Sequence, residues 1–229
     1  MNAGFLSRVA LRRDASVKAL ARLLVPHGEG NRHGAAHCLL WTLFGDTPDR
    51  KRDFLWRQTD AGRFMVLSAR EPVDIHGIFE IESCVFAPVL KKGNRLRYLL
   101  RANATVDRKT PGRTHSQRHD IVMDALHSLP PGQRGEVRED VVPAVMRAWL
   151  ARQGGRAGFG LGVDQPVIRS CEVLRVPRSQ GRAKATFGVV DVTGELDVVD
   201  PDLFITALTQ GFGRARAFGC GLMLIRRAH

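Results

Sequence analysis

The residues with the most distinctive chemistry lie near the C-terminus, in the run QGFGRARAFGCGL at positions 210–222. Glycine lets backbone N–H groups approach an anion closely, and guanidinium groups add positive charge. The run therefore predicts an anion-binding loop. Its candidate binding residues are Gly211, Gly213, Arg214, Arg216, Gly219 and Gly221.

Two known phosphate-binding motifs do not fit this loop. A dinucleotide-binding loop follows a strand and opens a helix, whereas this run follows a predicted helix and precedes a predicted strand. A P-loop needs Gly-Lys followed by Ser or Thr, and the chain has no such sequence. A flexible connection without a ligand remains the alternative interpretation.

Two further segments concentrate positive charge in predicted turns. Residues 108–119, RKTPGRTHSQRH, are polar and have no apolar anchor, and residues 178–184 form a second basic turn. Such segments are either phosphate-binding loops or solvated surface loops. Their basic candidates are Arg108, Lys109, Arg113 and Arg118 in the first, and Arg178, Arg182 and Lys184 in the second.

The overall charge favours a polyanionic partner. The 229 residues include 35 Lys and Arg against 23 Asp and Glu, a formal net charge of +12, and only six of the basic residues are Lys. Arginine presents a planar fork of donors that fits phosphate and guanine edges, so we expect nucleic acid as the partner. A GC-rich genome, which raises the arginine content without any function, is the alternative explanation.

The composition excludes several other classes of protein. The four cysteines lie far apart, and neither the His residues nor the carboxylates show metal-ligand spacing, so we expect no metal, no cofactor and a reducing cytoplasm. No apolar stretch reaches the roughly 20 residues of a membrane span. Residues 1–13 lack the features of a secretory signal.

The elements that must position these residues alternate between strands and helices. The hydrophobic periodicity predicts strands at 5–11, 54–58, 63–69, 79–88, 95–106, 167–176, 185–192, 196–199 and 222–225. It predicts helices at 14–24, 34–44, 141–153 and 200–210, with glycines at 154–162 breaking the third. This order predicts the α+β class, with ferredoxin-like sandwiches.

Five segments resemble the CasE subfamily of CRISPR precursor-RNA endoribonucleases, which belong to the type I-E Cascade complex. They are the C-terminal glycine-rich run, FLSRVAL at 5–11, HCLLWTLFGD at 37–46, RDFLWR at 52–57 and LLRAN at 99–103. Residues 194–213 also run in step with the last strand, helix and loop of that subfamily. The resemblance covers most of the chain in the expected order, and the C-terminal run is the most specific part.

The resemblance implies a fold of two tandem ferredoxin-like (RRM-like) domains with a C-terminal glycine-rich loop. We place the boundary between 1–92, which carries the candidate catalytic histidine, and 93–229, which carries the basic loops and the glycine-rich loop. The resemblance also implies a free monomer that binds the CRISPR repeat hairpin. Such a protein cleaves precursor crRNA without a metal and remains with the crRNA and other Cascade subunits.

In that reaction a ribose 2′-OH attacks the adjacent phosphate and leaves a 2′,3′-cyclic phosphate and a 5′-OH. A histidine suits the proton transfer at neutral pH, and His37 stands at the matching position among the eight histidines. We expect it near the start of its helix, where N–H groups favour an anion. The alternative is a half-buried core histidine, because His37 shares a helix face with Leu40, Trp41 and Phe44.

One position departs from the family pattern. Several members carry a Tyr one turn before the His, where this chain has Gly34, and its only Tyr is Tyr98. We therefore assign His33 as a second catalytic candidate and Arg32 as a phosphate-binding one.

The resemblance also assigns the basic segments. The loop at 108–119 is expected along the RNA stem, the turn at 178–184 near the scissile phosphate, and Arg101 at the domain junction with an RNA contact. Two alternatives remain: a non-catalytic RNA-binding subunit of the same complex, and an unrelated basic α+β protein that binds a nucleotide.

Overall fold

The computed structural model describes residues 4–14, 29–45, 51–109, 112, 114–176 and 185–228. The predicted helix at 14–24 lies outside these residues apart from Asp14. Four candidate residues also lie outside them: Arg113, Arg178, Arg182 and Lys184. The side chains of Arg32 and His33 are likewise not described, although both residues belong to a helix.

The first half contains one antiparallel sheet and a helix that covers one face of it. Its elements are β1 (Gly4–Leu11), α1 (Glu29–Trp41), β2 (Phe54–Asp60), β3 (Arg63–Ser68) and β4 (Phe79–Phe86). The strand order β2-β3-β1-β4 is that of a ferredoxin-like unit. The connection at 69–78 is a loop, however, where that unit usually has a second helix.

Alternating apolar residues explain why this sheet buries one face under α1. Leu40 of the helix, Trp56 of β2 and Val66 of β3 are completely buried in one cluster. Because side chains alternate across a strand, the neighbouring residues of β2 and β3 face the other way. There Leu55 and Leu67 pack against the second half of the chain.

The second half contains a larger antiparallel sheet with two helices on one face. Its elements are β5 (Arg95–Ala102), β6 (Thr105–Arg108), β7 (Gln117–Asp120), α2 (Ile121–His127), α3 (Arg138–Ala157), β8 (Phe159–Leu161), β9 (Val167–Val176), β10 (Ala185–Val198), α4 (Pro201–Gln210) and β11 (Met223–Arg227). The order is β11-β5-β10-β8, and β9 pairs with the first part of β10. This order confirms the predicted α+β class and the ferredoxin-like architecture.

The predicted strand at 95–106 and the predicted loop at 108–119 were wrong in their bounds. The first is divided into β5 and β6. In the second, Arg108 ends β6 and residues 117–119 belong to β7, which pairs with β6 in a hairpin. Asp120 then caps α2 by accepting hydrogen bonds from the N–H groups of Val122 and Met123. The polar sequence gave no signal for this hairpin, because charged strands show no apolar alternation.

The predicted break of α3 at the glycines was also wrong. Gly154 belongs to the helix, and a β-carbon there would lie 2.3 Å from the carbonyl oxygen of Phe159. The helix ends only at Gly158, whose φ of 72° favours glycine. Gly154 is therefore a close-packing residue rather than a helix terminator. The two predicted strands at 185–192 and 196–199 are likewise one strand, β10.

The predicted domain boundary falls in the turn between β4 and β5, and it stays a prediction. The two halves contact each other through a cluster of Leu55, Leu67 and Leu222. Among the residues described, no helix is long and apolar enough to cross a lipid bilayer.

Candidate active site

Helix α1 holds His37 at the edge of the first core. Ala36, Leu39 and Leu40 are buried against the sheet, whereas the His37 side chain is half-buried. The indole Nε1–H of Trp41, one turn later, donates a hydrogen bond of 3.0 Å to His37 Nε2. Because Nε2 accepts, we assign the proton of the neutral imidazole to Nδ1.

His37 does not lie near the start of its helix, so that expectation was wrong. Helix α1 begins at Glu29, eight residues before His37. The unpaired N–H groups and the dipole of a helix act within its first turn, so they do not reach His37. Any anion beside this imidazole must be held by other groups.

Two arginines, Arg52 and Arg216, are the candidates for holding an anion beside His37. Arg52 lies two residues before β2 and is half-buried. Burial, and then the positive charge of Arg52, lower the pKa of His37 below its usual value. Arg52 itself has a lowered pKa, caused by burial and by the charge of Arg216. These two effects show that the three side chains share one electrostatic environment.

Arg216 reaches this place from the C-terminal loop. It opens a short 3-10 turn, Arg216–Phe218, that contacts both α1 and β2. Its Nη2 donates to the carbonyl oxygen of Gly211 at 3.0 Å and its Nε to that of Gly213 at 3.3 Å. The two glycine carbonyls therefore fix the guanidinium in place.

The four glycines of this loop allow close packing. A β-carbon at Gly211 would lie 2.8 Å from Leu55, and one at Gly219 would lie 3.1 Å from Trp56. The N–H groups of Gly211 and Gly221 donate to the carbonyl oxygens of Ala207 and Arg101. Those two N–H groups are therefore not available to an anion, and the predicted phosphate contact at Gly213 and Gly219 stays a prediction.

Asn103 of the LLRAN motif fastens the loop to the second sheet, a role that the motif alone did not reveal. The N–H of Arg214 donates to the Asn103 carbonyl oxygen at 3.1 Å. The Asn103 side-chain amide in turn donates to the Gly188 carbonyl oxygen at 2.7 Å. The side chain of Arg214 remains exposed.

Arg101 lies at the junction of the two halves and is paired with carboxylates. Its guanidinium, only 14% exposed, binds both Asp191 and Glu172. Asp191 also accepts a hydrogen bond of 2.7 Å from Arg57 Nη2 in β2. The charge of Arg101 is therefore neutralised inside the protein, and we do not include Arg101 in the proposed RNA-binding surface.

The β6–β7 hairpin presents its basic side chains to solvent. Arg108 pairs with Asp124 and Arg118 pairs with Asp107, at 2.6 and 3.1 Å, and both arginines are exposed. Lys109 is exposed and has no ion-pair partner among the residues described. Exposed pairs of this kind are weak, so these arginines can exchange their carboxylates for phosphates.

No tyrosine takes part in this site. Gly34 is half-buried, and a β-carbon there would approach only Val176 of β9, at 3.9 Å. Tyr98 is 2% exposed in the core of the second half, and burial raises its pKa to about 12. Its phenol therefore cannot take the place of the tyrosine that the resemblance led us to expect before His37.

Comparisons with known proteins agree with the resemblance read from the motifs. The chain is 29% identical over 196 residues to the CRISPR system Cascade subunit CasE of Escherichia coli, covering 82% of this chain and 88% of that protein. It is 30% identical over 148 residues to the CRISPR-associated endoribonuclease Cse3 of Thermus thermophilus, covering 61% and 59%.

The fold is also similar to a solved structure. The structure of CRISPR endoribonuclease Cse3 bound to a 19-nt RNA matches with a TM-score of 0.68 at 23% identity, over 98% of this chain and 99% of that one. The family model described as CRISPR associated protein matches residues 5–227. The chain therefore belongs to the CRISPR-associated protein family.

Proposed function

We propose that this protein is an endoribonuclease that binds the hairpin of a CRISPR repeat and cleaves precursor crRNA at its base. The observation that supports this most directly is the half-buried imidazole of His37, which lies against Phe54 at the cleft that Arg52 and Arg216 line. Family membership and the relatives named CasE and Cse3 supply the substrate class.

The proposed reaction is a transesterification within the RNA. The 2′-oxygen forms a bond to the adjacent phosphorus, the bond from phosphorus to the 5′-oxygen breaks, and the departing oxygen gains a proton. The products are a 2′,3′-cyclic phosphate and a 5′-OH. No electron transfer or metal is needed, because proton transfer and charge stabilisation suffice.

His37 supplies the proton transfer in this proposal. In the free protein its Nε2 is occupied by the hydrogen bond from Trp41. RNA binding must therefore open this bond before Nε2 can accept the 2′-OH proton. His33, one turn earlier on α1, is the proposed second acid, and Arg32 beside it is a proposed phosphate contact.

The RNA stem is proposed to lie along the β6–β7 hairpin. A-form RNA has a deep, narrow major groove, which a thin basic hairpin can enter. Lys109 and the exposed Arg108 and Arg118 offer charge there. The remaining proposed contacts are Arg113, Arg178, Arg182, Lys184 and Arg214.

Cleavage of a repeat hairpin RNA under single-turnover conditions in EDTA tests the proposal. His37→Ala should lower the rate constant by about 10²–10⁴-fold, the usual contribution of a general acid or base, and leave hairpin affinity within a few-fold. His76→Ala, in the exposed loop at 69–78, is the matched control and should cleave like wild type. The upstream fragment should end in a 2′,3′-cyclic phosphate, and the downstream fragment should begin with a 5′-OH.

Three results would contradict the proposal. Unchanged cleavage by His37→Ala would remove His37 from the mechanism. Salt-dependent binding with no cleavage by wild type would instead identify a non-catalytic RNA-binding subunit. Affinity for the hairpin that does not fall with salt would favour a protein that binds a small anion, because phosphate contacts release counterions.

The likeness to CasE also supports a place in a Cascade assembly. The cleaved crRNA is proposed to stay bound and to join this protein to the other Cascade subunits. Co-purification of the processed crRNA and those subunits with the tagged protein, lost after ribonuclease treatment of the hairpin, tests this.

A further inference from the structure

A cleft next to Phe54 contains two arginines, Arg52 and Arg216, and one carboxylate, Asp53. It has a volume of about 460 Å³ and lies between the start of β2 and the end of α4. Arg52 and Arg216 line it, together with the polar residues Ser68, Thr209 and Gln210. The cleft is thus formed by both halves of the chain. Phe54, which also lines it, lies 6.4 Å from the imidazole of His37, measured between ring centroids.

The carboxylate that lines this cleft is already paired. Asp53 accepts hydrogen bonds of 2.8 and 3.3 Å from Nε and Nη2 of Arg70. Arg52, its neighbour in the chain, makes no hydrogen bond or ion pair with any residue that the structure describes. The positive charge of Arg52 is therefore not neutralised by the described protein.

Arg216 adds a second positive charge that is already oriented. Its Nε and Nη2 are held by the carbonyl oxygens of Gly213 and Gly211, which leaves Nη1 free of these bonds. Bringing two half-buried guanidinium groups together costs free energy unless an anion joins them. A guanidinium pair of this kind matches the two non-bridging oxygens of a phosphodiester.

We propose that Arg52 and Arg216 form a clamp for the scissile phosphodiester, and that Arg52 is a further catalytic residue. The inference rests on the proposed function and adds a residue and a subsite to it. In the ground state the clamp holds the phosphate beside the imidazole of His37. As the 2′-oxygen attacks, the additional negative charge on the non-bridging oxygens strengthens both contacts, which lowers the barrier.

The test compares Arg52→Gln with Arg63→Gln. Arg63 opens β3 at the opposite end of the β2–β3 hairpin and is exposed, so the control makes the same charge change outside the cleft. Arg52→Gln should lower the single-turnover cleavage rate by about 10²–10³-fold, the usual effect of removing one transition-state donor. Arg52→Lys should recover part of the rate, and Arg63→Gln should cleave like wild type.

A phosphorothioate hairpin distinguishes a direct contact from a structural effect. Sulfur in place of one non-bridging oxygen at the cleavage site weakens a guanidinium contact, so one diastereomer should slow the wild type. The same substitution should slow Arg52→Gln clearly less, because the contact is already absent. A purely structural role for Arg52 would leave the two sulfur effects equal, and that result would overturn the clamp.

Binding supplies a measurement that does not depend on the chemical step. A hairpin with a 2′-deoxy residue at the cleavage site cannot react. For that RNA, Arg52→Gln should lower the slope of log affinity against log salt by about one relative to wild type. An unchanged slope together with cleavage within three-fold of wild type would refute the clamp. If the wild type itself does not cleave the hairpin, the proposed function fails, whereas wild-type cleavage that Arg52→Gln retains in full overturns the clamp alone.

Discussion

At the scale of single residues, the chemistry of His37 depends on groups from three elements. Trp41 of α1 donates a hydrogen bond to its Nε2. Burial, and then the charge of Arg52 before β2, lower the pKa of His37, and burial, and then the charge of Arg216 from the C-terminal turn, lower the pKa of Arg52. Phe54 of β2 lies 6.4 Å from the imidazole, measured between ring centroids. An imidazole that stays neutral at physiological pH is ready to accept a proton.

Removing the charge of Arg52 should raise the pKa of His37 in the free protein. Arg52→Gln removes the Coulombic cause and leaves the larger one, burial, in place, so the pKa should stay below its ordinary value of 6.5. An NMR titration of the His37 ring, assigned with His37→Asn, measures it. Arg63→Gln should leave it unchanged, and an equal shift in both variants would show a long-range charge effect only.

The same lowered pKa has a consequence for stability. Because unfolding returns His37 to an ordinary pKa, the unfolded chain binds this proton more readily than the folded one. The contribution of His37 to stability is therefore lost as the pH falls below about 6.5 towards the folded pKa.

At the scale of elements, the C-terminal loop packs the end of α4 against the first half of the chain. Gly211 has φ 79° and ψ 162°, a conformation that is essentially restricted to glycine. It ends α4, approaches Leu55 of the first half, and gives its carbonyl oxygen to Arg216. The backbone of Gly211 thus ends α4, allows the two halves to approach at Leu55, and orients the guanidinium of Arg216.

Gly211→Ala should destabilise the protein by roughly 3 kcal/mol, from backbone strain together with the collision with Leu55. Gly93→Ala is the matched control, since Gly93 also has a positive φ, of 85°, but a β-carbon there meets nothing within 4 Å. The control should cost roughly 1 kcal/mol. Urea unfolding measures both, and equal losses would contradict the packing role of Gly211.

At the scale of the whole molecule, an ion-pair network and a leucine cluster join the two halves. Asp191 of β10, with a side chain 10% exposed, neutralises Arg57 from the first half and Arg101 from the second. The surrounding junction is apolar at Leu55 and Leu222. One carboxylate thus joins an arginine of each half, beside the apolar contact of the leucine cluster.

Asp191→Asn should destabilise the folded chain by roughly 3–5 kcal/mol, because it leaves the buried guanidinium of Arg57 without a carboxylate and leaves Arg101 paired with Glu172 alone. Asp107→Asn breaks an exposed pair with Arg118 and should cost less than about 1 kcal/mol. Thermal or urea unfolding compares the two. A loss below 1 kcal/mol for Asp191→Asn would show that the network contributes little.

Periodicity predicted most elements of this fold because their apolar residues alternate or repeat at helical spacing. Helix α4 is an example, with Asp200 capping it and Pro201 in its first turn as the sequence indicated. The start of α1 was missed because PHGEGNRH at 26–33 has the composition of a turn. The β6–β7 hairpin was missed because its strands are charged.

The candidate site was predictable only in part. His37 and the glycine-rich run could be predicted because their motifs are distinctive. Arg52 could not, because nothing in the local sequence RDFLWR distinguishes it from other arginines of the chain. The pairing of Arg101 could not be foreseen, since Asp191 lies 90 residues away in the chain. Long-range charge pairing leaves no trace in local spacing.

Helix α1 and the 3-10 turn that carries Arg216 lie far apart in the chain, so the ribosome completes them at different times. A ribosome that has produced the first sheet and its helix has made His37 and Arg52 but not their third partner. If the proposed clamp is correct, the nascent polypeptide has no complete cleavage centre, and it should not cleave cellular transcripts near the exit tunnel until translation has passed the glycine-rich loop.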